Sequence, residues 1–349
     1  MKKILNYNFH NILRVKISID NYKSSTSKIL EQKFAHYLVD ENVKDPDITV
    51  DIGSFIPDLE DTCVLDEFYH VKKDYIFCEH RHKIAKWKVE IKGLMTNKTE
   101  LKINSNFFGW WVFPGGTIYS IIMFKLVMKG YAMLHASGVA RGGKAYIFTG
   151  RSGTGKTITV FNLLKKGFTY LGDDTTILGQ GQALSFIKPL NIRFTYDVGK
   201  MLGVKFNNME RKSILLKNML RRLSLGYINL FTKIDIKNFF PDSLGASGRL
   251  SKIFFMIQSG CFSIEKSPNL QYLLKQLLLN MQFELDELTG YLLAYNFVFP
   301  SSGLADFWVR VKRIIEGSVS EESAYLMGVP RQYSLKDFDS LLEKINEKD

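Results

Sequence analysis

The sequence predicts an α/β fold, α+β overall, in three parts. Short apolar runs separated by turns make residues 1–112 a β-rich N-terminal domain. A glycine-rich loop lies between a short apolar run and an apolar-striped helix in residues 113–265, which predicts a core domain built around that loop. Residues 266–349 carry mainly helical patterns and form the third part, a helical C-terminal region.

The bulk composition is that of an ordinary folded chain. Of 349 residues, 46% are hydrophobic and 23% are charged, with a formal net charge of +12. The basic residues are spread along the chain, so we expect no dedicated nucleic-acid partner. The cysteines, Cys63, Cys78 and Cys261, form neither a disulfide framework nor a metal-spaced pair, which is typical of a reducing compartment.

The localisation that the sequence predicts is cytoplasmic, with no membrane partner. The first residues, "MKKILNYNFHNILRV", lack the apolar core and cleavage site of a secretory signal. The most apolar stretch, residues 107–134, is interrupted by Pro114-Gly115-Gly116 and carries Lys125 and Lys129. It is therefore too broken for a spanning helix, and we expect a loop followed by a buried helix over residues 118–134.

The remaining elements follow from periodicity and turn chemistry. In the N-terminal domain "LRVKISI", "DITVDIG", "DYIFCEH" and "KWKVEIK" predict strands, and "SKILEQKFAHYLVD" indicates a helix. Residues 207–225 predict a basic helix, and "DFDSLLEKINEKD" predicts an amphipathic terminal helix.

A predicted hairpin leads into the glycine-rich loop. "HASGVARGGKAYIFTG" predicts two strands joined by a Gly142-Gly143 turn. A helix is expected from Thr157 to Lys166, because Gly167 follows where a helix usually stops. "FTYLG" then predicts a strand that ends at two aspartates, and "TTIL", "GQGQ" and "ALSFIK" predict strand, turn and strand.

The loop matches the pattern G-x-x-x-x-G-K-[ST], in which glycines let several N–H groups face one anion. Its candidate binding residues are Gly150, Ser152, Gly153, Thr154, Gly155, Lys156 and Thr157. Lys156 is expected to contact the phosphates of ATP from an exposed loop, contributing charge rather than core packing, and Thr157 to bind Mg²⁺. The alternative is a glycine-rich turn without a ligand.

Asp173 and Asp174 follow the loop after one helix and one strand. If the strands before the loop and before the aspartates are adjacent and parallel, both carboxylates lie near the loop. One carboxylate can then bind the metal and the other can take a proton from an attacking hydroxyl. The alternative is an Asp-Asp turn at a solvated strand end. His135 precedes the hairpin, and taken alone a single histidine is more often structural.

These residues together resemble a known group. "LHASGVARGGKAYIFTGRSGTGKT" followed by "GFTYLGDDTTIL" resembles the HPr kinase/phosphorylase superfamily over about residues 130–180. The resemblance implies a core like that of phosphoenolpyruvate carboxykinase. It also implies that Asp173 is the catalytic base beside Asp174, and that His135 lies near the reacting phosphate. The residues matching that family's phosphate cradle are Gly153, Gly155, Lys156 and Thr157.

Two departures from the family pattern concern the metal and the phosphates. Bacterial HPr kinases usually have a glutamate after the Ser/Thr of the loop, where this chain has Ile158. Their later glycine-arginine signature is also missing. The nearest segment, "FPDSLGASGRLSKIFF", offers Arg249 or Lys252 as phosphate contacts, with a surface loop as the other interpretation.

The expected function is that of an ATP-dependent, Mg²⁺-using kinase. Its acceptor would be a serine-like hydroxyl on a small molecule, a peptide or a protein, as in relatives that phosphorylate free serine or a peptide serine. Asp173 would act as the base, with Asp174 and Thr157 at the metal. If the strand persists through both aspartates, the side chains of Asp173 and Asp174 point to opposite sides of it. One alternative is a nucleotide-binding regulatory or scaffold protein. Another, a decarboxylating carboxykinase, needs further metal ligands. The acceptor, ATP against GTP, reverse phosphorylase activity and oligomeric state stay open.

Overall fold

The computed structural model describes residues 2–20, 24–112, 116–192, 208–223, 232–267, 269–283, 286–331 and 345. Over these residues the chain is mixed α/β, with two large mixed sheets and eight α-helices, consistent with α+β. Every described helix is too short or too polar to cross a lipid bilayer.

The chain groups into two compact units. Unit 1 contains Met1–Met133, Leu178–Gln180 and Leu274–Ser318. Unit 2 contains Leu134–Ile177, Gly181–Leu273 and Val319–Asp349. The three-part division expected from the sequence stays a prediction.

The helices are α1 (Ser24–Lys33), α2 (Phe107–Val112), α3 (Gly116–Met128), α4 (Lys156–Lys165), α5 (Asn208–Leu223), α6 (Leu270–Gln282), α7 (Asp286–Val298) and α8 (Phe307–Glu316). The strands are β1 (Lys3–Phe9), β2 (Leu13–Ile19), β3 (Leu38–Val39), β4 (Ile48–Ile52), β5 (Cys63–Leu65), β6 (Tyr69–Lys72), β7 (Tyr75–His82), β8 (Ala85–Lys92), β9 (Thr99–Ser105), β10 (Ala132–Leu134), β11 (Ala136–Arg141), β12 (Lys144–Thr149), β13 (Thr169–Gly172), β14 (Thr176–Gly179), β15 (Gln182–Leu184), β16 (Leu190–Ile192), β17 (Thr232–Ile234), β18 (Ser247–Ser259), β19 (Ser263–Lys266) and β20 (Ala324–Pro330).

Unit 1 contains a nine-stranded sheet in the order β3-β1-β2-β4-β9-β8-β7-β6-β5. Its strands alternate as their sequences predict: in β2, Val15, Ile17 and Ile19 are buried while Arg14 is exposed. β2, β4 and β9 run parallel, and β9 to β5 form an antiparallel meander. The predicted β-rich N-terminal region is confirmed. The helix predicted over residues 27–40 is confirmed in its first part as α1, but Leu38–Val39 form the strand β3.

The helix α3 is the buried helix that the sequence predicts, but it ends at Met128, and residues up to Leu134 include the strand β10. Lys125 is buried in α3, and its Nζ donates to the Thr96 carbonyl oxygen at 2.5 Å. Burial lowers the pKa of Lys125 to about 8, because the charged amine loses its hydration.

In unit 2, β11 and β12 form the predicted hairpin. Arg141 pairs with Lys144, and φ is 57° at Gly142 and 76° at Gly143. Positive φ at both central residues is the geometry of a two-residue hairpin turn, and glycine adopts it without steric cost.

Five strands of unit 2 follow the order β15-β18-β12-β11-β13. β11 pairs antiparallel with both β12 and β13, so those two strands run parallel with β11 between them. The expectation that they are adjacent is wrong. Their carboxyl ends nevertheless lie at the same edge of the sheet, because each is antiparallel to the same strand.

The C-terminal region is less helical than predicted. α6, α7 and α8 account for most of residues 270–316, but β20 pairs in parallel with β18, and β19 pairs antiparallel with β20. The apolar run "AYLMGVP" is therefore a buried strand, which periodicity alone does not distinguish from a helix. The predicted terminal helix, residues 337–349, falls almost wholly outside the described residues. The basic helix predicted over residues 207–225 is confirmed as α5.

Candidate functional site

The loop between β12 and α4 contains three glycines with positive φ. The angle is 147° at Gly150, 87° at Gly153 and 94° at Gly155, a region that disfavours side chains. A Cβ at Gly150 would lie 2.5 Å from the Met256 carbonyl oxygen, so a side chain there would separate β12 from β18. α4 begins at Lys156, which places its first N–H groups and the positive end of its dipole at the loop.

Lys156 is buried, with 6% of its surface exposed. Its Nζ donates to the carbonyl oxygens of Gly150 at 2.6 Å and Arg151 at 3.2 Å. The expectation of an exposed lysine is wrong, because the amine lies back across the loop, where two carbonyls compensate for its lost hydration. Thr154 Oγ1 also donates to Arg151, at 2.8 Å, while Ser152 is exposed.

Asp173 lies directly beside the end of the loop. Only 7% of its surface is exposed. The Thr157 hydroxyl donates to its carboxylate, at 2.9 Å from Oδ2 and 3.1 Å from Oδ1. The Ser137 hydroxyl donates to Oδ1 as well. The structure therefore brings together the loop, the aspartate strand and the strand between them.

Burial raises the pKa of the Asp173 carboxyl above its usual range, and the charge of Asp174 raises it further. Hydrogen bonds from Ser137 and Thr157 and the positive charge of Lys156 act in the opposite direction, since they stabilise the carboxylate. The net shift is upward, which makes this carboxylate a stronger proton acceptor than an ordinary aspartate.

Asp174 is half-buried and has a φ of 60°, a left-handed conformation that aspartate tolerates in turns. β13 ends at Gly172, so both carboxylates belong to a turn and the strand alternation expected for them does not apply. A Cβ at Gly172 would lie 2.2 Å from the Thr175 carbonyl oxygen, so this turn needs glycine. Lys188 Nζ donates to Thr175 Oγ1 at 3.0 Å and brings a positive charge to the turn.

Ser137 and Lys188 were missed by the sequence analysis. Ser137 lies on β11 and pairs with Phe148 of β12. Phe148 is one residue before Thr149, where β12 ends and the loop begins. The place of Ser137 beside Asp173 depends on β11 lying between β12 and β13. The only sequence signal was its position in the same hairpin strand, two residues after His135.

His135 is half-buried and immediately precedes β11. Its carbonyl oxygen accepts a hydrogen bond from Thr149 Oγ1 at 3.0 Å, and Thr149 precedes the first loop glycine. The structure thus places the His135 backbone beside the start of the loop.

Neither Arg249 nor Lys252 lies on a loop, since both belong to β18. Arg249 is on β18 opposite Lys144, at the end of β12 remote from the glycine-rich loop. Lys252 is buried, and its Nζ donates to the Ile345 carbonyl oxygen at 2.9 Å. Both suggestions are wrong, because the parallel alignment of β18 with β12 sets the positions of these residues.

Ile158 is half-buried and packs against the hydrophobic core beneath α4. The side chain that follows Thr157 is thus part of the packing here. No group of three or more His, Cys, Asp or Glu side chains within the described ranges could hold a metal ion alone. The sequence matches no protein-family model, and no curated protein is significantly similar to it.

Replacing Gly172 by alanine tests the aspartate turn. The new Cβ forces the Thr175 carbonyl to move, so we expect Gly172→Ala to lower the free energy of unfolding in urea by about 1–3 kcal/mol. Gly260→Ala is the matched control, since a Cβ there meets nothing within 4 Å. Equal stability of the two variants would contradict the described turn.

Proposed function

We propose that this chain is an ATP-dependent kinase that transfers the γ-phosphate to a serine-like hydroxyl on a small molecule, a peptide or a protein. The observation that carries the proposal is the hydrogen bond from Thr157, the last residue of the glycine-rich loop, to the buried carboxylate of Asp173. A phosphate-binding motif and a candidate base thus meet at one point. The proposal includes distant membership of the HPr kinase/phosphorylase superfamily, with its carboxykinase-like core.

The loop suits a polyphosphate. Glycines at Gly150, Gly153 and Gly155 leave the backbone free of side chains, and the N-terminus of α4 supplies N–H donors. Lys156 would neutralise phosphate charge from its position across the loop.

When bound, ATP and Mg²⁺ supply a transferable phosphoryl group and a cation that offsets its charge. Transfer forms a bond from the acceptor oxygen to the γ-phosphorus and breaks the bond to the β–γ bridging oxygen. The acceptor proton goes to an Oδ atom of Asp173, whose raised pKa favours uptake. Burial of that carboxylate keeps bulk water from competing as the proton acceptor.

The protein ligands that we propose for Mg²⁺ are Thr157 and Asp174, which is a small set. Mg²⁺ is commonly held by one or two protein oxygens together with substrate phosphates and water. The lack of a larger ligand cluster in the described residues fits that mode. His135, next to the loop through its backbone, would tune the site.

One observation favours a second function, a regulatory or scaffold protein that binds nucleotide without transfer. Ile158 packs in the core where related kinases use a glutamate, so this position cannot assist the metal. Nucleotide binding is common to both functions, and only phosphoryl transfer separates them.

Lys156→Met tests the loop. Methionine keeps much of the buried volume but removes the amine, so we expect Mg·ATP affinity to fall by roughly 10- to 100-fold, the worth of one charge-assisted contact. Isothermal titration calorimetry measures this. Lys165→Met, at the exposed far end of α4, is the control and should bind normally. Unchanged affinity in Lys156→Met contradicts the assignment of the loop.

Asp173→Asn tests the base. We expect it to retain Mg·ATP binding while transfer falls by roughly 10² to 10⁴, the usual contribution of a general base. Asp174→Asn should also raise the Mg²⁺ concentration needed for half-maximal rate, because a metal ligand affects binding and rate together. His135→Ala should lose less. The acceptor is first identified by incubating wild type and γ-labelled ATP with free serine, hydroxylated metabolites and serine peptides. The rate of label transfer to that acceptor is then measured for each variant.

Two outcomes of these measurements count against the proposed roles. If Asp173→Asn transfers phosphate at the wild-type rate, the assignment of Asp173 as the base is wrong. If the Mg²⁺ requirement rises in Asp173→Asn but not in Asp174→Asn, Asp173 is the metal ligand and Asp174 the base. The comparison is necessary because Asp173 contacts Thr157, the other proposed Mg²⁺ ligand.

A further inference from the structure

The helix α5 turns an apolar face to solvent. Leu215, Leu216, Met219, Leu220 and Leu223 are between 36% and 73% exposed. At 100° per residue these positions form one stripe about 140° wide along the helix. We call these five residues the leucine face.

The opposite side of α5 faces the core. Ile214 packs against the hydrophobic cluster of unit 2, and on the helical wheel it lies roughly 100° from the nearer edge of the leucine face. The leucine face therefore points outward, and this orientation calls for an occupant, since five clustered apolar side chains are costly to expose.

The helix is also strongly basic. It contains five basic residues and one acidic residue, Glu210, so its formal charge is +4. The basic residues are Arg211, Lys212, Lys217, Arg221 and Arg222. The whole chain carries a formal +12, so its net charge likewise favours an anionic partner.

We propose that α5 docks on an anionic lipid bilayer, lying in the plane of the headgroups with the leucine face inserted. Modest overall hydrophobicity, a basic polar side and an aliphatic side are the features of helices that bind in this way. The leucine face runs from Leu215 to Leu223, a contact about 12 Å long. Arg211 and Lys212, which are exposed and lie beside and within the arc of the leucine face, would meet the lipid phosphates and carboxylates.

One residue favours a bilayer over a protein groove. Lys212 is exposed and lies one turn before Leu216, within the arc of the leucine face. A dry protein interface would bury its charge at a high cost. At a bilayer the stem of the lysine can run along the apolar surface while the amine reaches the headgroups.

The expectation that the protein has no membrane partner rested on the lack of a spanning segment, and an interfacial helix needs none. The proposal is independent of the kinase assignment, because it uses neither the glycine-rich loop nor the aspartates.

Co-sedimentation of the full chain with vesicles tests the proposal. Wild type should bind vesicles of phosphatidylcholine with roughly one third phosphatidylglycerol, bind phosphatidylcholine alone far less, and be released by raised salt. Leu215→Asp should weaken binding to the anionic vesicles at least about tenfold. Leu293→Asp on α7 is the matched control, because Leu293 is 65% exposed and Leu215 is 68% exposed.

Normal binding by the control together with loss in Leu215→Asp supports the proposal. It is overturned by failure of wild type to bind anionic vesicles, by equal binding of wild type and Leu215→Asp, or by equal loss in both variants. Analytical ultracentrifugation tests the remaining alternative, in which a second copy of the chain contacts the leucine face. A wild-type dimer that Leu215→Asp dissociates would overturn the proposal and assign the leucine face to that contact.

Discussion

A buried carboxylate that receives two hydroxyl hydrogen bonds is the constraint on which the candidate site depends. Asp173 is largely removed from water and accepts from Thr157 of the loop and Ser137 of β11. A carboxylate in this setting is unfavourable unless its lone pairs are satisfied. The two hydroxyls therefore tie the loop, the hairpin and the aspartate turn to one point.

The strand order explains how these residues meet. β11 lies between β12 and β13, so the loop after β12 and the turn after β13 leave the same edge, with Ser137 between them. Gly150 allows β12 to approach the Met256 carbonyl on β18, and Gly172 allows the aspartate turn to close on Thr175. The positions of the candidate groups thus depend on two glycines that carry no reactive atoms.

Local patterns predicted the local structure well. Gly142-Gly143 fixed the hairpin, and the G-x-x-x-x-G-K-[ST] loop and the start of α4 lie where glycine and lysine spacing place them. Features that depend on the pairing of distant segments could not be predicted from the sequence. The insertion of β11, the strand β20 and the contact of Ser137 with Asp173 all require knowing which distant segments are neighbours. The positions of Arg249 and Lys252 were predicted wrongly for the same reason, since neither strand alone determines the register of β18 against β12.

The most direct measurement is the pKa of Asp173. It is obtained by recording the ¹³C chemical shift of the carboxyl carbon as a function of pH, and Asp173→Asn assigns the resonance to this residue. We expect a pKa of Asp173 above the ordinary aspartate value of about 3.9. We also expect a further rise in Ser137→Ala, because that variant loses a hydrogen bond that stabilises the charged form, and a fall in Asp174→Asn, which removes a repelling charge. An ordinary pKa that neither substitution changes would contradict the buried, hydrogen-bonded carboxylate at the centre of the site.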